Sequence, residues 1–410
     1  MGSINGADTG FVLLSAALVL VMTPGLAFFY GGLVRRKNVL TIMMQSFIAM
    51  GVVTLLWVLV GFSLAYSGDT LGIIGDLRNA GLAGVGLAPS HTYAPTIPFL
   101  AFFLFQVMFA IITPALISGA FADRVSFKAY LIFLVLWSLL VYIPFVHWVW
   151  GGGFLAKMGV VDFAGGIVVH LSAGMAALAA VFFIGPRTLH TSDSATPHNV
   201  PFVALGAGLL WFGWFGFNGG SALAANGVAA VAFVNTNTAA AAGMVAWLAL
   251  VWWREHRASM TGALTGAVAG LATVTPAAGF VPPWAALVIG LCAAVVCYFA
   301  IQLRVRRNWD DALDVWGVHG VGGFLGIILL GILGSTAWNP AGADGLLLGG
   351  AAFFLKQCFA AVLCAVWAFV FTYGMLWLIS QVTVTRTDPA SQEKGLDEEL
   401  HGEEAYPQGV

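Results

Sequence analysis

Two histidines stand inside apolar stretches where charge is expensive, and each follows an aspartate at the same interval. DFAGGIVVH runs from Asp162 to His170, and DALDVWGVH runs from Asp311 to His319. Val169 matches Val318, Gly174 matches Gly323, and both copies flow into long glycine-rich apolar runs, LSAGMAALAAVFFIG and GVGGFLGIILLGILG. An ionisable residue in such a run marks a functional position by default. Two at repeat-equivalent positions predict that the fold brings His170 and His319 together. Burial disfavours the charged form of both rings. A neutral pair can still hand a proton along, from a donor nitrogen to an acceptor nitrogen. Haem ligation is the competing chemistry, because facing histidines also hold iron in membrane cytochromes. No haem-attachment motif accompanies the pair, and no carboxylate or cysteine shares its helical turns to favour another metal.

Other side chains surround these two. Asp162 comes just before its apolar run, where a carboxylate suits the free N–H groups and positive pole of a helix start. It can serve there as a cap or as a contact for a cation. Aromatic residues are dense in FLFQVMF (Phe103–Phe109), HWVWGGG (His147–Gly153) and LWFGWFGFNGGS (Leu210–Ser221). Most aromatic stripes in membrane proteins are packing or interfacial belts. Trp150, however, falls at a helix end where its ring face can attract a cation, and Ser221 at another end can supply a hydroxyl.

The elements that must position these residues follow from composition. The 410-residue chain is 60% hydrophobic and only 8% charged, with a mean hydropathy of +0.93, whereas soluble domains carry about 25% charged residues. A water-facing surface cannot be covered with so few charges. Long solid apolar runs exclude a β-barrel, whose segments alternate. The chain therefore reads as an all-α polytopic membrane protein. Runs long enough to span, roughly 20 residues each, fall near 8–34, 41–66, 97–121, 127–149, 162–184, 199–218, 227–253, 259–275, 284–303, 313–334 and 346–381. Pro24-Gly25 interrupts the first, which a helix bundle tolerates.

Lys and Arg gather in alternate loops. Arg35, Arg36, Lys37, Arg124, Lys128, Arg187, Arg254, Arg257, Arg304, Arg306 and Arg307 follow odd-numbered spans, and Arg386 and Lys394 lie in the tail. The other loops hold Arg78 and Lys157. This bias predicts eleven spans with the N-terminus outside and the C-terminus inside. His170 and His319 then lie on spans five and ten. A five-span repeat is odd, so the second copy, about 199–334, enters the membrane inverted relative to the first, about 8–184. Inverted repeats place a substrate path at the repeat interface near the midplane. FFYGG in span one and GFNGG in span six echo the same pairing. The membrane domain covers 1–384. The acidic tail 385–410 reads as a solvated, partly disordered cytoplasmic end. MGSINGADTG lacks the basic start of a cleavable signal peptide. Cys292, Cys297, Cys358 and Cys364 lie in apolar runs without metal-ligand spacing and read as packing residues.

The strings TPGLAFFYGGLVRRKNVL, HWVWGGGFLAKMGVVDFAGGIVVH, GWFGFNGGSA, VAFVNTNTAAA and DALDVWGVHGVGG resemble the ammonium transporter family (Amt/Mep/Rhesus), over about residues 8–406. The resemblance implies a transporter rather than an enzyme. It implies an eleven-helix homotrimer of the plasma or inner membrane, with a separate narrow pore in each subunit and no cofactor. Carried over residue by residue, Trp150, Ser221 and Phe109 are similar to an outer ammonium-recruiting site. Phe109 and Phe217 resemble a stacked gate, and His170 and His319 a twin-histidine pore. Trp214 resembles a tryptophan beside that pore, and Asp162 the aspartate that shapes the outer site. Trp150 and Ser221 favour the Amt branch, of bacterial or archaeal type, over the Rhesus branch. GLDEELHGEEAY resembles a cytoplasmic tail that packs on the neighbouring subunit, and the family's bacterial members bind a PII-type regulator on that face. A channel for another small neutral solute, a sensor that transports poorly and a membrane cytochrome are the alternatives.

Overall fold

The computed structural model describes residues 3–188 and 197–407. Within them lie α1 (Gly6–Leu33), α2 (Arg36–Tyr66), α3 (Phe99–Phe121), α4 (127–149), α5 (Gly166–Ile184), α6 (Val200–Gly219), α7 (Gly227–Glu255), α8 (Met260–Val274), α9 (Pro283–Arg306), α10 (Trp316–Leu333) and α11 (Ala351–Val382). Ten helices among the described residues are long and apolar enough to cross a membrane. The eighth expected span is shorter than 259–275 suggests. α8 has 15 residues, or about 22 Å at 1.5 Å per residue, against a hydrocarbon core of about 30 Å. Pro276 ends it. The backbone that follows is irregular, and Ala277 and Ala278 are fully buried. Non-helical backbone at membrane depth survives only in such protein-covered places. The last helix begins later than 346, because Gly349 adopts a φ of +90° and separates a short turn, Leu346–Leu348, from α11.

α5 and α10 cross where both are narrowest. A Cβ on Gly174 would stand 2.0 Å from the Gly320 nitrogen, and one on Gly323 would stand 2.6 Å from the Leu171 nitrogen. As the contact advances along α5 it retreats along α10, so the two helices cross antiparallel. Both carry a stretch of widened, π-type helix at the crossing, Gly166–Leu171 and Trp316–Gly320. Such bulges occur often at functional sites. The expected histidines lie within these two stretches.

The basic loops meet at one end of the bundle. Asp123 is buried between Arg35 (3.0 Å) and Arg187 (3.2 Å), while Arg187 and the fully buried Arg124 share Asp310 at 2.8 Å each. Burial raises the Asp310 pKa, but the two guanidiniums outweigh it and hold the carboxyl at about 2.

The tail is not the solvated end that its acidity suggests. Thr387 N donates to Arg124 O, and Gln392, Leu396 and Asp397 are buried. The Asp397 carboxylate accepts from Leu40 N (2.9 Å), Thr41 N (2.7 Å) and Thr41 Oγ1 (2.8 Å). It thereby caps the start of α2, where a negative charge is favoured. Tyr406 lies over the Arg36 guanidinium at 4.9 Å and shares a hydrogen bond with His198. The tail thus packs on the start of α2 and on the neighbouring loops that carry Arg124 and His198. Residues 408–410 lie outside the described residues.

Candidate pore site

Asp162 organises the first layer of the site. Its carboxylate accepts from four successive backbone nitrogens, Gly165 (2.9 Å), Gly166 (2.7 Å), Ile167 (2.7 Å) and Val168 (3.3 Å). This uses the unpaired N–H groups of the first turn of α5. Its carbonyl oxygen accepts the Trp150 indole N–H at 2.8 Å. The residue acts as a structural cap and carries both the α5 start and the Trp150 ring. Asp311 occupies the matching place before α10 and accepts from Trp316 N at 2.7 Å.

Trp150 lines a mouth cavity of about 300 Å³ together with Ser221, Phe109, Gln106, Tyr66 and Tyr93. The Trp150 ring meets the Phe109 ring edge-on, with centroids 6.0 Å apart. Ser221 Oγ donates to Phe217 O at 2.8 Å, which leaves its lone pairs free to accept. The four aromatic rings of Trp150, Phe109, Tyr66 and Tyr93 and a hydroxyl oxygen at one mouth suit a small cation.

The Phe109 and Phe217 rings close the floor of this mouth, their centroids 4.3 Å apart and tilted by 42°. Beyond them lies an enclosed apolar cavity of about 20 Å³ lined by Phe217, Trp214, His170, His319, Tyr30 and Leu116, among others. That volume holds about one molecule the size of water or ammonia.

The two histidines meet here. Nδ1 of His319 lies 3.2 Å from Nδ1 of His170, across 149 positions of sequence, and the rings are nearly parallel with centroids 5.2 Å apart. Both rings are buried. A single proton between the facing nitrogens makes one ring the donor and the other the acceptor. Two axial ligands of a haem iron stand on opposite sides of it, about 4 Å apart at N–metal bonds of about 2 Å, so nitrogens facing each other at 3.2 Å do not hold a haem between them. His170 Nε2 is buried without a hydrogen-bond partner. Trp214 stacks on His170 at 5.4 Å and is pinned through its indole N–H to Thr275 Oγ1 at 2.9 Å, just where α8 ends.

His319, Phe29, Tyr30 and Val268 also line a third cavity, of about 510 Å³, which opens among Arg35, Arg187, Arg304 and Asp314 at the basic end. Burial pushes the Asp314 carboxyl up to about 6 against the pull of Arg304. The histidine cavity and the basic vestibule thus share lining residues, while the mouth meets the histidine cavity only through the contact of the Phe109 and Phe217 rings.

Of the expected site residues, Trp150, Ser221 and Phe109 line the mouth, Phe217, Trp214, His170 and His319 line the small cavity, and Asp162 lies behind Trp150. Sequence reasoning missed Tyr30, although it stands in the FFYGG echo, and Thr275. It also missed Asp69, outside the helices. There Lys157 and His147 hold its carboxyl at about 2, bracing the loop after α2 against the turn that carries Trp150.

Fold and site together define a multi-pass helical membrane protein with three internal cavities, the smallest of them apolar and holding the two histidines. Residues 10–406 match the Ammonium Transporter Family. The chain is 48% identical to an ammonium transporter of Bacillus subtilis, over 97% of this chain and 98% of the relative. It is 42% identical to the ammonium transporter Amt1 of Archaeoglobus fulgidus, over 98% of this chain and all of the relative. Among solved structures it superposes on Saccharomyces cerevisiae Mep2 with a TM-score of 0.89 at 34% identity, covering 94% of this chain and 90% of the other. The chain belongs to the ammonium transporter family.

Proposed function

We propose that this protein recruits ammonium at the Trp150 mouth, that ammonium passes the Phe109–Phe217 gate and gives up a proton there or just below, where His170 Nε2 stands as acceptor, and that ammonia is conducted past the histidine pair with the proton following through that pair. The observation that carries this reading is the Nδ1–Nδ1 contact of 3.2 Å inside the apolar cavity. Ammonium can shed its charge before entering a dry chamber; potassium cannot, and it also lacks the N–H groups that an imidazole accepts. Below the gate, His170 Nε2 is a buried acceptor for an ammonia N–H, and the shared Nδ1 proton lets charge pass from one ring to the next.

Sidedness and symmetry support the same reading. The basic loops and tail interlock at one end, and Lys157 reaches Asp69 at the other, as expected for an outer N-terminus and inner C-terminus. The antiparallel crossing pairs Gly174 with Gly320 and Gly323 with Leu171, positions related by the same offset as the histidines, as an inverted repeat requires. Full function further implies eleven spans, a homotrimer in the cell membrane and a PII-type protein on the basic face.

Trp150→Leu is expected to raise the half-saturation for methylammonium uptake, by an amount within the cation–π range of about 0.5–2 kcal/mol. An unchanged half-saturation would remove Trp150 from the site. Deleting the chain from Gly395 onward is expected to leave an inserted, assembled protein with reduced flux. No apolar run is lost, but the Asp397 cap on α2 goes with it, at about 0.5–2 kcal/mol. Normal flux in the truncated protein, or failure to assemble, would contradict a regulatory tail. Uptake of methylammonium that competes with ammonium and not with urea separates this function from a general neutral-solute channel.

A further inference from the structure

We infer that Gln357, in the second turn of α11, is a positioning residue for the outer ammonium site; this rests on the function proposed above. Gln357 is fully buried and lines none of the three cavities. Its side-chain amide grips the backbone of a single residue from both sides. Oε1 accepts from Val161 N at 3.1 Å, and Nε2 donates to Val161 O at 2.8 Å. This is how a neighbouring strand would pair with an extended residue. Only one amide orientation satisfies both contacts, because the flipped amide would set donor against donor and acceptor against acceptor.

The grip falls one residue before Asp162. Asp162 in turn holds Trp150 through its carbonyl and four N–H groups of α5 through its carboxylate. The next residue, Phe163, is tied through its N–H to Pro276 O at 3.0 Å. The segment 161–163 is thus anchored on one side to α11 and on the other to the end of α8. Without the amide, the α11 anchor is lost, and the Trp150 ring and the His170 helix start share the resulting freedom. Gln357 therefore acts on the site only through Val161 and Asp162.

The test uses the full-length protein in liposomes and reads methylammonium half-saturation. Gln357→Met keeps the volume and removes both hydrogen bonds; the expected result is a rise of about tenfold, in line with the loss of one or two buried hydrogen bonds. Gln357→Glu separates positioning from packing. An ionised glutamate cannot donate to Val161 O, whereas a protonated one can. Its half-saturation relative to wild type at the same pH is expected to be raised at pH 8 and to fall back toward one near pH 5.5. A Gln357→Met protein with wild-type half-saturation, or a Gln357→Glu protein whose ratio to wild type is flat with pH, would overturn the inference. Trp150→Leu is measured alongside. A rise there with none in the Gln357 variants overturns the positioning role alone; no rise in any variant overturns the outer site and the positioning role together.

Discussion

His170→Ala is expected to abolish ammonium-driven current while leaving the passage open to neutral ammonia. The variant removes one of two nitrogens that face each other at 3.2 Å, so no chain of donor and acceptor spans the apolar cavity. The space grows and stays apolar, so a neutral molecule still fits and a bare proton has no partner there. Aspartate at the same position has the opposite effect. It places an acceptor with a negative charge in the chamber and is expected to admit potassium, because a cation then finds compensation within the low-dielectric passage. Currents on supported membranes, measured for both variants under ammonium and potassium jumps, check this pair. A His170→Ala current equal to wild type, with ammonium still preferred over potassium, would make the histidines packing residues.

The second large effect is expected at Asp162. Asp162→Ala leaves four buried N–H groups at the start of α5 without an acceptor, each at a cost of about 1–3 kcal/mol. The backbone carbonyl that accepts the Trp150 indole N–H is kept, but the segment that carries it is no longer tied to α5. The expected outcome is loss of transport together with a sharp fall in the yield of folded protein. Asp162→Asn keeps one carbonyl acceptor but turns an NH₂ group toward two of the donors, so it is expected to fall between alanine and wild type. Yield by size-exclusion chromatography and uptake in liposomes measure the two effects separately. An alanine variant with normal yield and normal uptake would show that the α5 start needs no carboxylate.

Sequence and structure agree most closely where chemistry and spacing coincide. The His170–His319 meeting is legible because two unlike stretches share an aspartate-to-histidine interval inside apolar runs, whereas the position of Asp162 before α5 leaves cap and cation contact open, and its four bonds to N–H groups show the cap. Phe109, Phe217 and Trp214 are different. Nothing in their local pattern separates them from the other aromatics of the bundle, and only the family resemblance singles them out. Their roles depend on rings from α3 and α6 meeting at 4.3 Å. The short α8 is also hidden, since Thr275-Pro276 reads as an ordinary boundary until the buried turn beyond it and the Trp214–Thr275 bond are seen. The tail misleads for a physical reason. Acidic composition suggests solvation, yet Asp397 satisfies helix-start nitrogens, and such a partner lies more than three hundred residues away in sequence. Gln357 is invisible for the same reason.

The most direct test of the account is charge movement by the wild-type protein on a solid-supported membrane after an ammonium jump, compared with a potassium jump of the same size. The account predicts a saturable current with ammonium and none with potassium, because only ammonium can give up its proton at the gate and have it carried past by the histidine pair. Equal currents with both ions, or no current with ammonium, would contradict it.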